Sequence, residues 1–374
     1  MNVQVSRSGF IHLIRWFAAV LVVVNHLRSF IFKDFVDLPY SNLLVKAFYF
    51  ITALGHTAVV VFFVISGYLI CDSVVKHTLR GDFILKIYFI KRVSRLYAVL
   101  IVALLLTALF DFTGNYFDRF GVYQHHMIFS SLPYNISSTE NIGYFLTSLF
   151  MLQNIIHPAF GSNGPLWSLS YEFWYYVLFP LCCILFFYFF KRLFNIKYLI
   201  GSVIGLILVT LLLTKPILLS YLIWLTGLIP IFLHLKNRAF KYIIPAVTIL
   251  YLIMSKTIVN FLPPGLIDGL FGILIALWIS AFDNVILKNR FYFFNERLAS
   301  FSYSLYLVHF PFMLMILTLL YNLNGTGFKM VPSIASFSLF FIMLIVIMLF
   351  SYLVATFTEY KTPRITHFLI KRFS

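Results

Sequence analysis

Two groups that an apolar helix excludes stand in the first hydrophobic run of the chain: Arg15 and His26, within a largely apolar stretch from Phe10 to Phe30. Eleven helical steps of about 100° return the two side chains to nearly one azimuth, and at ~1.5 Å per residue they lie roughly 16 Å apart along the axis. An ionisable group inside a spanning helix is costly enough to mark a functional site by default, and two on one face define a polar track. The plain structural alternative is that Arg15 snorkels to the headgroups while His26 sits at the far interface. A second acid or base of this kind is Glu172, one of only 12 acidic residues, set about one and a half turns into the helix expected after the Gly161-Ser-Asn-Gly-Pro165 turn. A carboxylate beside an imidazole orients the ring and stabilises its charged form, which would make His26 a competent general base. Glu172 could equally serve only the helix dipole at the interface.

Further candidates follow the same reasoning. Arg92 and Arg95, three residues apart with Lys91 beside them, share a helix face at a helix start and can grip phosphates bidentately. Basic residues beside a spanning helix are also what membrane topology demands. His309, in Tyr303-Ser-Leu-Tyr-Leu-Val-His-Phe-Pro311, is a third titratable group within an apolar run, and reads equally well as a hydrogen-bonded core histidine. His125, His126 and His157 lack a ligand set, and Cys71, Cys182 and Cys183 all fall in apolar runs, so neither a metal site nor a disulfide framework is expected.

The elements that must hold these groups are membrane helices. With 61% hydrophobic, 20% aromatic and 11% charged residues and a mean hydropathy of +0.95, the chain lies far outside the range of soluble domains. Apolar runs near 10–30, 55–73, 96–113, 167–190, 198–214, 217–235, 242–259, 264–283, 303–321 and 333–357 predict an all-α polytopic protein of about ten transmembrane helices. The stretch from Gly143 to Ile156 is too short to span and reads as an interfacial or re-entrant segment. The net charge of +16 is not a nucleic-acid signal, because the basic residues cluster in alternate loops. The inner set is Arg7; Lys76, Arg80, Lys86, Lys91, Arg92 and Arg95; Lys191, Arg192 and Lys197; Lys236, Arg238 and Lys241; Lys288, Arg290 and Arg297; and Lys361, Arg364, Lys371 and Arg372. It outweighs the outer set and puts both termini in the cytoplasm. Arg15 interrupts the first run and no small-residue cleavage site follows it, so that helix is expected to remain in the mature chain. No repeat or linker is visible, so residues 1–374 read as a single membrane domain.

Arg15-x10-His26, Phe62-Phe-Val-Ile-Ser-Gly-Tyr-Leu69, Arg92-x-x-Arg95, Pro165-Leu-Trp-Ser-Leu-Ser-Tyr-Glu172 and Ser302-Tyr-Ser-Leu-Tyr-Leu-Val-His-Phe-Pro311, in this order, resemble the signature segments of acyltransferase family 3, the integral-membrane O-acyltransferases of surface polysaccharides. The resemblance implies a membrane acyltransferase domain that takes an acyl group, usually acetyl, from cytoplasmic acyl-CoA to a hydroxyl of a glycan such as an O-antigen of lipopolysaccharide, or of its lipid-linked precursor. Arg15 and His26 match the family's essential pair, and Arg92 and Arg95 the arginine pair associated with the donor. Trp167, Ser170 and Tyr171 within the fourth motif, and His309 in the last, are additional candidates. Two departures stand out. Many members carry adjacent acids where this chain has Glu172 followed by Phe173-Trp174, and some carry an extracytoplasmic esterase-like domain after the membrane part, which is not expected before Ser374.

The resulting expectation is an acyl-CoA-dependent O-acyltransferase of the bacterial cytoplasmic (inner) membrane, with no permanently bound cofactor and acetyl-CoA as co-substrate. Its partners would be acyl-CoA, a glycan or lipid-linked glycan acceptor and membrane lipids, with no nucleic acid; a homodimer is left open. Phosphates held by Arg92, Arg95 and Lys91 would let the thin pantetheine arm pass Arg15 towards His26, with Glu172 assisting the base; a covalent acyl-histidine is a variant of this scheme. A transporter or glycan flippase would share the buried charges, but the sequence shows neither inverted repeats nor paired broken helices.

Overall fold

The computed structural model describes residues 7–127, 129–235, 237, 239–258, 261–282, 289–324 and 328–373. Its helices, in chain order, are α1 (Arg7–Ile31), α2 (Leu43–Thr52), α3 (Gly55–Arg80), α4 (Leu85–Tyr116), α5 (Ile142–Leu149), α6 (Trp167–Lys191), α7 (Ile196–Leu212), α8 (Lys215–Leu225), α9 (Ile229–Phe232), α10 (Phe240–Ile258), α11 (Pro264–Ala281), α12 (Asn289–Ala299), α13 (Ser302–Asn324), α14 (Ile334–Phe357) and α15 (Thr362–Phe373). Only isolated bridges of β type occur among the described residues. The protein is an all-α polytopic membrane protein, with eight helical stretches among the described residues long and apolar enough to cross a bilayer.

Among the described residues all ten apolar runs read from the sequence are largely helical, but α7 falls short of that length, and the side chains of α10 are described only over Phe240–Ser255. The 17 residues of α7 rise only about 26 Å, against a hydrocarbon core of ~30 Å. The Gly143–Ile156 stretch forms the eight-residue α5 and then turns, with left-handed backbone at Met151 and Asn154. Of the inner basic set, Lys236, Arg238 and Lys288, with the side chain of Arg290, lie outside the described residues.

The chain divides into two compact units, each threaded from three segments: Met1–Trp16, Val59–Phe89 and Tyr171–Ala299 in the first; Phe17–Ala58, Ile90–Ser170 and Ser300–Ser374 in the second. The first unit is centred on a cluster of Phe10 and Ile14, Val60 and Val64, Ile223, and the i, i+4 row Phe271, Ile275, Ile279 on one face of α11. Lipid is as apolar as leucine, so close backbone approach rather than the hydrophobic effect must hold such helices together. Gly67 shows how: a Cβ there would lie 2.0 Å from the carbonyl oxygen of Trp224, so α3 and the end of α8 meet at a distance only glycine allows. Arg7 ties the start of α1 into this unit, donating to the Pro230 carbonyl at 2.6 Å and the Tyr68 hydroxyl at 3.3 Å.

The second unit packs aromatic rings. Phe30 contacts Phe129 and Phe310, Phe32 lies among Phe48, Phe337 and Phe340, and Phe312 stacks on Phe350 at 4.0 Å. The end of α1 is anchored by backbone bonds to Met330, from its N–H to Ile31 and from Lys33 to its carbonyl, and by the 2.9 Å ion pair of Lys329 with Asp34.

Prolines within two helices create polar attachment points. A proline has no N–H, so the carbonyl four residues earlier loses its helical partner and needs another. Pro180 in α6 frees the carbonyl of Tyr176, which accepts from the Tyr88 hydroxyl at 3.0 Å. Pro311 in α13 frees that of Leu307, which accepts from the Asn163 amide at 2.9 Å. The loop before α6 is thereby fastened to α13 two residues from His309.

Candidate active site

In the second unit, His26 of α1 and His309 of α13 stack at a centroid distance of 5.4 Å and 29° between planes, with Phe310 edge-on to His26 at 4.9 Å. His309 is fully buried. Its Nδ1 faces the carbonyl oxygens of Leu305 at 3.1 Å and Tyr306 at 2.8 Å. Carbonyls only accept, so Nδ1 carries the proton and the lone pair of the neutral ring is on Nε2. That Nε2, like Nδ1 of His26, is buried without a hydrogen-bond partner among the described residues. Two imidazoles thus meet face to face, each with one ring nitrogen unsatisfied. Such a site can take a proton from a hydroxyl brought to it, and it leaves little for a purely structural histidine pair to gain from burial.

The turn before α6 is built around this turn of α13. Tyr306 donates its hydroxyl to the Pro165 carbonyl at 3.1 Å and meets the Ser168 hydroxyl at 2.6 Å. Asn163 also donates to the Thr107 hydroxyl of α4 at 3.0 Å. One turn further along α4, Asp111 accepts from the backbone N–H and hydroxyl of Ser162, at 2.6 and 2.5 Å. Gly161 has φ +57°, and a Cβ on it would lie 2.2 Å from Oδ2 of Asp111, so this left-handed glycine lets the carboxylate reach the loop. Ser170 is fully buried and donates to the Met151 carbonyl at 2.7 Å, and Gln153 to that of Leu166 at 2.9 Å, which folds the α5 segment back onto the start of α6. Trp167, half-buried, opens that helix. The serines of the motif therefore bind neighbouring segments rather than reacting groups.

Glu172 belongs to the first unit. Its Oε1 accepts the Ser66 hydroxyl at 2.6 Å and the Tyr176 hydroxyl, while Trp224 donates its indole N–H to the Ser66 oxygen at 3.2 Å. Tyr171, in the same unit, lies parallel to Phe63 at 6.4 Å. Arg15 is half-buried in the same unit, beside Trp16, whose indole N–H donates to Asn295 at 2.7 Å.

Lys91, Arg92 and Arg95 line an open groove of about 530 Å³ in the second unit. They do not begin a helix, as the sequence suggested: α4 starts at Leu85, so the arginines stand in its second and third turns, beyond the reach of its terminal dipole. Any attraction for an anion would come from the side-chain cations themselves.

Sequence reasoning overlooked Asp111, although the signal was the one that singled out Glu172: an acid inside an apolar run. Ser66, Tyr176 and Trp224, which surround Glu172, carry no such signal, since hydroxyl and indole groups are common in membrane helices.

A family model described as an acyltransferase domain, that of acyltransferase family 3, matches residues 8–356. No curated protein matches the chain, and no solved structure does.

Proposed function

The chain belongs to acyltransferase family 3, whose model covers nearly all of it, and from that premise we propose that residues 1–374 act as one membrane domain transferring an acyl group, acetyl for preference, from cytoplasmic acyl-CoA to a hydroxyl of a cell-surface polysaccharide or its lipid-linked precursor. The observation that carries the mechanism is the His26–His309 stack, with a buried, unsatisfied nitrogen on each ring. His26 is the base: the acceptor oxygen attacks the thioester carbonyl carbon as its proton passes to the imidazole, the C–S bond breaks, and the imidazolium returns the proton to the departing CoA thiolate. Glu172 assists His26, Arg15 lines the passage, and Arg92, Arg95 and Lys91 hold the donor phosphates. The compartments follow from the alternation of basic loops, which favours cytoplasmic termini in a bacterial inner membrane.

His309 as the base is a second reading, favoured by its Nδ1 being occupied by two carbonyls, which presets Nε2 as an acceptor. Purified protein in nanodiscs, given labelled acetyl-CoA and a glycan fraction, should release CoA and label the glycan. His26→Ala should abolish transfer while retaining CoA binding. A parental rate in a folded His26→Ala variant would move the base to His309, and the absence of any CoA release with every acceptor offered would favour a transporter.

A further inference from the structure

The family match ends at residue 356, and beyond it the chain adds α15, a twelve-residue helix with no buried residue. Thr362, Thr366 and Ile370 recur every four residues and so form one row along it, and this row, with His367, is the wall of the groove that faces Lys91, Arg92 and Arg95. The Thr366 and Ser94 hydroxyls, 2.6 Å apart, fasten α15 to α4 across the floor. The Thr362 hydroxyl is buried without a hydrogen-bond partner among the described residues. Glu359, the acid of this groove, is outnumbered by Lys91, Arg92 and Arg95, and one of its oxygens is turned to α13. Its Oε2 accepts the Ser304 N–H and hydroxyl, both at 3.0 Å, in the first turn of α13, where a negative charge is stabilised by the helix dipole. On the remaining surface of α15, Ile365, Phe368 and Phe373 are exposed beside Arg364, Lys371 and Arg372. Apolar and basic residues so mixed suit a helix lying in the headgroup layer, which would bring the groove to the level where a soluble nucleotide meets the membrane.

We propose that α15 forms the second wall of the acyl-CoA site, with Thr362 and His367 bonding the phosphates of the nucleotide end opposite Arg92 and Arg95, and Thr366 as a positioning residue. This rests on the donor reading above. A hydroxyl and an imidazole add directed hydrogen bonds to a site where lysine and arginine supply charge, so phosphate is recognised from both sides. An anionic lipid headgroup offers the same phosphate chemistry, and the experiment separates the two.

Full-chain protein in zwitterionic nanodiscs would be titrated with CoA by calorimetry, with thermal unfolding as the check on folding. Thr362→Ala/His367→Ala should weaken CoA binding about tenfold, the scale of losing a hydrogen bond to a charged group, and His367→Ala alone by less. Arg364→Ala, on α15 but outside the groove, should bind as the parent does. Parental affinity in the Thr362/His367 variant together with loss in Arg92→Ala/Arg95→Ala would remove α15 from the site and leave the donor reading standing. Parental affinity in both variants would overturn the donor reading and this proposal with it. If instead both variants kept CoA but lost co-purifying phosphatidylglycerol, the groove would be a lipid site.

Discussion

At the scale of single residues, burial and hydrogen-bond accounting separate groups that hold structure from groups left with something to do. Ser162, Ser168 and Ser170 each bond their hydroxyl to a neighbouring segment, whereas His26 and His309 each retain a buried nitrogen without a hydrogen-bond partner among the described residues. His26→Ala is therefore expected to lower transfer by about 10²–10⁴, the usual contribution of a general base, measured as CoA release at saturating donor. Glu172→Gln should cost less, because the amide can still accept from Ser66 and Tyr176. If Glu172 assists His26, the double variant should be little worse than His26→Ala alone; losses that simply add would detach the carboxylate from the base. A third substitution tests the tautomer argument. His309→Asn can still donate to the Leu305 and Tyr306 carbonyls but offers no basic nitrogen, so it should unfold at the parental temperature and, if His309 takes part in proton transfer, turn over slowly.

At the scale of elements, the missing N–H of a proline and the missing Cβ of a glycine decide which helices meet and where. Removing the Asn163 amide leaves the Leu307 carbonyl unpaired, at an expected cost of about 1–3 kcal/mol in unfolding free energy. Pro311→Ala restores an N–H to that position, so Asn163→Ala should cost less in the Pro311→Ala background than in the parent. An equal cost in both would mean that the amide works chiefly through Thr107. At the crossing of α3 with the end of α8, Gly67→Val would drive a side chain into the Trp224 carbonyl. Overpacking of that kind should cost about 1–3 kcal/mol, read as a lower unfolding temperature in detergent, and should also disturb Ser66 and its bond to Glu172.

For the whole molecule the property to test is direction, because the alternating charge of the loops implies an orientation, and the proposed donor and acceptor sites would then lie on opposite faces. Ser29, at the end of α1, is 2% exposed and bonded to Ser131, so it is a poor site for an accessibility probe. Val36, 88% exposed in the turn after α1, and Ile84, 55% exposed in the turn before α4, are better placed. Val36→Cys should react with an impermeant maleimide added to intact spheroplasts and Ile84→Cys only after lysis. The reverse pattern would invert the topology and with it the delivery of the acyl group from inside to outside.

Composition and periodicity alone were enough to establish helices in a bilayer, because the cost of an unpaired backbone in lipid leaves a chain of this hydropathy few other structures. Family membership was equally legible, since the motifs carry polar residues at set positions; Arg15, His26, Glu172 and His309 stand out as rare polar groups in apolar runs, and Arg92 and Arg95 by their spacing. Pairing was not legible. Periodicity tells which side of a helix a residue occupies but not which helix lies opposite, so the stacking of His26 on His309, the hold of Asp111 on Ser162 and the groove between α4 and α15 follow only from the tertiary fold. At α7 the apolar run matched the helix in length and lay two residues late, whereas α4 begins well before its apolar run, because a backbone hydrogen-bond ladder continues through basic residues that no apolar window includes.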